Sequence, residues 1–213
     1  MKCYAIAAVL ALVCTPAFAG WHVCNFDVDA DGNVIVGGDY DYWGDFVDYQ
    51  YAAWGVTFSE VAGDQTGYMN MAYNEQDYPS GLLPGPHSGP NVVHDPDTWM
   101  DEWETFVAGA SFTVQVNEVG VWFGGDTSGY SQLEAFDGAG NLLGSASASG
   151  LYDWEYVSVS SASNIAYVYM TIGGVYDYVA YDDFAFRVVP EPAAMTLIGG
   201  ILGALALVRR RSK

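Results

Sequence analysis

Cations are nearly absent from the interior of this 213-residue chain. Lys2 stands at one extreme and Arg209, Arg210, Arg211 and Lys213 at the other, leaving Arg187 as the single Lys or Arg between them. All 26 acidic residues fall between positions 20 and 192. A body so charged repels nucleic acid and anionic lipid, which excludes both as partners of the folded part. It favours divalent cations and salt, and salt bridges contribute almost nothing to holding it together.

Cysteine is equally scarce. Cys3 and Cys14 lie in the first apolar stretch, so a chain that loses that stretch keeps Cys24 alone and forms no internal disulfide. The fold must rest on a core, for which residues 20–188 suffice as one domain, and Cys24 reads as a small buried hydrophobe. The histidines, His22, His87 and His94, lack zinc-site spacing. Neither a Gly-x-Ser-x-Gly elbow nor a Gly-rich phosphate loop occurs, and nothing singles out a glycosidase-like carboxylate pair. The expectation is a protein that is not an enzyme, with a secreted hydrolase as the last alternative.

Apolar runs of length occur only at the ends. Lys2, the stretch Tyr4 to Cys14, and Ala17-Phe18-Ala19 follow the basic, apolar, small-x-small order of a secretory signal. Cleavage after Ala19 makes 1–19 a signal peptide and Gly20 the mature start. At the other end Val189-Pro190-Glu191-Pro192 precedes an uncharged run, about 193–208, and then Arg209-Arg210-Arg211. At about 1.5 Å per residue that run reaches about 24 Å, against about 30 Å of hydrocarbon, a short transmembrane helix. The arginines set its C-terminal end in the cytoplasm and the body outside. An anchor that is never cleaved is the open alternative.

Pro-Glu-Pro, a short apolar helix and an Arg cluster, in that order, resemble the PEP-CTERM sorting signal of Gram-negative bacteria, also called the ice-binding protein C-terminal domain. The resemblance covers about residues 189–211. It implies export by the Sec machinery, a precursor anchored in the inner membrane, recognition by an exosortase, and delivery to the cell surface or extracellular matrix.

Between the ends the pattern is strand after strand. Ala166, Val168, Met170 and Ile172 alternate with Tyr167, Tyr169 and Thr171, and Val119, Val121 and Phe123 do likewise. Leu133 to Phe136 and Leu142 to Ser145 flank Asp137-Gly138-Ala139-Gly140-Asn141, a hairpin with a Gly-rich turn. No helical period is visible. Residues 20–188 are therefore expected to form an antiparallel β-sandwich or jelly roll of short strands, with proline-rich 73–98 as a long surface loop. The segments Ala52 to Phe58, Glu134 to Gly144 and Ala180 to Phe186 resemble exported jelly-roll domains of the carbohydrate-binding-module type.

Two groups are candidates for binding chemistry. Asp27-x-Asp29-x-Asp31-Gly32 has the alternate carboxylates of a calcium loop, though Gly38 stands where an EF-hand needs Glu, and a solvated acidic turn is the alternative. On a regular strand Asp182 shares a face with Phe184 and Phe186, where a carboxylate needs a partner. One structural Ca²⁺ held by Asp27 and Asp182, with Asp29, Asp31 or Asp183 nearby, answers that need. The second group is aromatic: Trp99, Trp103 and Trp122 stand among carboxylates and glycines, as a sugar-binding surface requires, with core packing as the alternative. The expected function is that of a non-enzymatic surface or matrix protein, or alternatively a calcium-dependent carbohydrate-binding module contacting extracellular polysaccharide.

Overall fold

A computed structural model of the chain describes residues 20–36, 47–62, 71–74, 87–94, 105–125, 130–148, 153–173 and 179–190. The candidate signal 1–19, Trp99, Trp103 and the sorting segment from Glu191 onward lie outside these residues. Among the described residues no helix is long and apolar enough to cross a membrane.

The described strands are β1 Gly20–Cys24, β2 Val56–Ala62, β3 Met71–Asn74, β4 Asn91–His94, β5 Thr105–Gly125, β6 Tyr130–Phe136, β7 Leu142–Ala148, β8 Glu155–Gly173 and β9 Val179–Val188. A 3-10 turn, Ala52–Trp54, precedes β2 and ends on Gly55 in the left-handed region. Among the described residues every strand pairing is antiparallel.

β5 and β8 run for 21 and 19 residues, against about five or six for an ordinary strand, and each passes through two layers. In one layer the first half of β5 lies between β2 and the second half of β8, which continues to β6 and β7. Register shifts between Ser111 and Glu118 mark the passage to the other layer. There the second half of β5 lies between the first half of β8 and β9, with β1 and β4 along the far edge of β9 and β3 beyond β4.

Period-two alternation points one side of each layer inward. Phe58 of β2 meets Phe184 of β9 edge-on with ring centroids 5.3 Å apart, and Phe112 of β5 lies 5.3 Å from Phe186. Each large side chain so buried contributes about 1.5–3 kcal/mol, which stands in for the missing disulfides and salt bridges. Cys24 is fully buried in this core, as expected. The fold is all-β and antiparallel, as the strand pattern predicts.

Two expectations are corrected. The stretch 73–98 is not one long loop, because β3 and β4 pair at its ends from Met71↔His94 to Asn74↔Asn91 and Asn91, Val92 and Val93 are buried. Its prolines at 79, 84, 86, 90 and 96 fall outside both strands, so strand hydrogen bonding survives. Nor are all strands short: the alternating segment Ala166 to Ile172 belongs to β8, which runs for 19 residues from Glu155 to Gly173.

Candidate functional site

The site begins with an irregularity in β9. Asp183 has φ of 47°, and the pairing with β5 shifts between Gly120↔Ala185 and Trp122↔Asp182. One extra residue on β9 makes a bulge and reverses the alternation beyond it. Tyr181 therefore points into the core, 5.5 Å from Phe26, while Asp182 lies opposite Trp122 on the outward side. The expectation that Asp182 shares a face with Phe184 and Phe186 is corrected, although Asp182 is fully buried.

What buries it is a short strap, residues 87–90, leading into β4. The Ser88 N–H donates to Asp182 Oδ2 at 3.0 Å, and Ser88 Oγ lies 2.7 Å from Asp183 Oδ1. His87 Nδ1 lies 2.6 Å from Asp183 Oδ2. Asp27 reaches the same strap from the loop after β1, accepting the Asn91 N–H at 3.0 Å with its carboxylate pressed against Gly89. Asn91 in turn donates to the carbonyls of Phe26 and Ile35 at 2.9 and 3.0 Å, which fixes that loop to β4. The Tyr51 hydroxyl secures the loop from below, accepting from Phe26 N–H and donating to Val28 carbonyl.

Three carboxylates thus converge without a Lys or Arg among the described contacts, since Arg187 is engaged on Glu118 and Asn117. Burial pushes the Asp182 carboxyl up to about 8, the Ser88 N–H opposes this, and the charges of Asp183 and Asp27 reinforce it. Burial likewise raises Asp27, with the Asn91 N–H opposing and the Asp183 charge adding. Among the described residues no three His, Cys, Asp or Glu side chains are arranged as a ready metal cage.

Asp29 and Asp31 do not join this cluster. Asp29 Oδ1 accepts from the backbones of Asp31 and Asn33, and Asp29 Oδ2 accepts from Asn33 Nδ2 at 2.7 Å. Asp137 does the same with Ala139 and Asn141 in the β6–β7 turn. Both turns close with Gly donating to the Asp carbonyl at φ near 85°, and both read Asp-x-x-Gly-Asn. The hydrogen bonds from Asn33 and Asn141, larger than the others, hold the two aspartates below the usual carboxylate range. The repeated Asp-x-x-Gly-Asn was the signal in the sequence that the acidic motif contains a hairpin turn.

On the outward side of the same sheet Trp122 carries His87 flat upon it, ring centroids 3.8 Å apart, with Tyr156 at 5.3 Å. Trp154 lies edge-on to His87 at 6.0 Å and packs over Gly124, where an added Cβ would come within 2.7 Å of the indole. The Tyr156 hydroxyl occupies the corresponding space at Gly120. Of the predicted ligand residues only Trp122 is described, and His87 takes one face of its ring. Sequence reading missed His87, Ser88, Tyr156 and Trp154, which come from segments remote in sequence from Trp122.

His87, Ser88 and Asp183 are the residue types of a hydrolase triad in the wrong order. Ser88 bonds the carboxylate and not the imidazole, so the serine–imidazole contact of such a triad is not made among these three residues.

No family model matches the chain, and no curated protein does. Among solved structures it is similar to a family 61 carbohydrate-binding module in complex with beta-1,4-galactotriose, at 21% identity over 62% of this chain and 88% of that one, TM-score 0.43. A cleaved adhesin domain of Lys-gingipain aligns at 12% identity over 78% and 99%, TM-score 0.47. A xylan-binding domain of carbohydrate-binding family 22 aligns at 14% over 71% and 95%, TM-score 0.34. Likenesses at these TM-scores carry no inference about a ligand.

Proposed function

We propose that the chain is a non-enzymatic exported protein of the cell surface or extracellular matrix whose β-domain binds polysaccharide. The observation supporting this is the cluster of Trp122, Tyr156, Trp154 and His87 on the outward side of a sheet, beside Asp183. Outward positions of a sandwich strand are ordinarily polar. Flat rings next to carboxylate acceptors suit sugars, which offer apolar C–H faces and hydroxyl donors. Export rests on the Ala17-Phe18-Ala19 exit before Gly20 and on Val189-Pro190-Glu191-Pro192 with Arg209, Arg210 and Arg211, read as Sec and exosortase signals. The pairing Gly20↔Val188 fits a body bounded by those two joints. Fractionation of cells with and without the exosortase, with the intact mass of the surface fraction, tests it. Loss of both terminal segments is expected, and a membrane-retained full-length mass contradicts it.

A structural Ca²⁺ held by Asp27, Asp182 and Asp183 is a second proposal. These hard oxygen donors converge with excess negative charge, and each carboxylate oxygen that accepts one hydrogen bond keeps a second lone pair. The ion would supply the countercharge that Arg187 does not. Calcium-dependent melting of the chain tests it.

A further inference from the structure

The outward face of the other layer is nearly without charge. Cross-strand register lays it out as three rows across β2, β5, β8, β6 and β7. The first row is Thr57, Ser111, Tyr167, Phe136 and Leu142; the second is Ser59, Gly109, Tyr169, Glu134 and Ser145. The third, toward the far end, includes Thr171, Gln132 and Ser147. Glu134 is the one charged residue in these rows, in a body holding 26 acidic residues.

A ridge of rings stands at the centre. Phe136 and Tyr167 stack in parallel at 5.0 Å and 9°, Tyr169 lies 5.1 Å from Phe136 and 5.2 Å from Tyr167, and the two tyrosines share a hydrogen bond. The flanks are low and solvent-facing: Ser59, Ser111, Ser145 and Ser147 are exposed. Such a face offers apolar ring surface, hydroxyls and a single carboxylate acceptor, and no cation to receive an anion.

From this we infer that the Phe136–Tyr167–Tyr169 face binds an uncharged polysaccharide, its sugar rings lying against the aromatic ridge and its hydroxyls bonding Glu134, Gln132 and Thr171. The inference rests on the polysaccharide-binding reading and adds to the Trp122 cluster a second face, with its ligand class. The acidic body repels uronate and sulfate chains, while a neutral chain meets no such field. Contacts of this kind are insensitive to salt.

Affinity electrophoresis of the full chain, solubilised in a polyoxyethylene detergent, tests the assignment. The probes are neutral β-1,4-glucan, β-1,4-xylan and β-1,4-galactan, and anionic alginate and dextran sulfate. Retardation by at least one neutral polymer is expected, unchanged from about 0.05 to about 0.5 M NaCl, and by neither anionic polymer. Tyr167→Ser with Tyr169→Ser should weaken it about tenfold or more at unchanged melting temperature. Asp31→Ala, in the exposed turn after β1, should leave it within about twofold. Retardation by anionic polymers alone, or loss in Trp122→Ala but not in the tyrosine variant, overturns this face while leaving polysaccharide binding standing. Should the tyrosine variant lose its fold, Glu134→Lys replaces it, expected to weaken neutral binding, and unchanged binding there overturns the assignment. No retardation by any polymer overturns the polysaccharide reading and this inference with it.

Discussion

The carboxylate of Asp27 fills the space that a side chain on Gly89 would need. Gly89 also has φ of 57°, so both its backbone and its missing Cβ are required where the strap crosses the β1 loop. Gly89→Ala should cost about 1–3 kcal/mol in strain and lost strap contacts. Urea denaturation should show a lower midpoint at unchanged slope.

Asp182 makes stability depend on pH in a direction opposite to most acidic residues. Its folded carboxyl lies at about 8, against about 3.9 in an unfolded chain. Between those values the native state keeps a proton that the unfolded chain has lost. Stability from this group is therefore intact below about pH 4 and falls as pH rises to about 8, by up to about 1.4 kcal/mol per pH unit. Asp27, raised for the same first reason, adds to the fall. In chelator-treated protein the melting temperature should decline over this window, and Asp182→Asn should flatten the decline. An equal slope in wild type and variant would contradict the buried position of Asp182.

Much of this body was legible from local pattern. Val119, Val121 and Phe123 alternate because β5 is regular there, and Asp137 to Asn141 announces the β6–β7 turn through its glycines. The bulge at Asp183 was not legible, since one extra residue leaves both flanking alternations intact and shifts only their relation. The strap was hidden for another reason: His87 and Ser88 reach Asp182 and Asp183 across more than 90 residues, a distance local pattern cannot span. Asp27 comes near Asp182 because β1 pairs β9 from Gly20↔Val188 to Cys24↔Phe184, a pairing of the two ends of the body that no local pattern spells out.

Calcium binding by Asp27, Asp182 and Asp183 predicts a melting temperature that rises with millimolar CaCl₂ and falls with chelator. The rise should be larger at pH 8 than at pH 5, because protons and the cation compete for the same oxygens. Asp27→Asn and Asp182→Asn should abolish the response. Asp31→Ala, placed in the exposed turn, should retain it. A response lost in Asp31→Ala and kept in Asp182→Asn would return the ion to the Asp-x-Asp-x-Asp motif.

Polysaccharide binding by an exported β-domain is the centre of the account, and co-sedimentation with the producing cell's own extracellular polysaccharide tests it most directly. The surface-released protein should pellet with that polymer and return to the supernatant when a neutral oligosaccharide digest of it is added. Protein that stays in the supernatant at every polymer concentration, while still folded by its melting transition, would contradict the account.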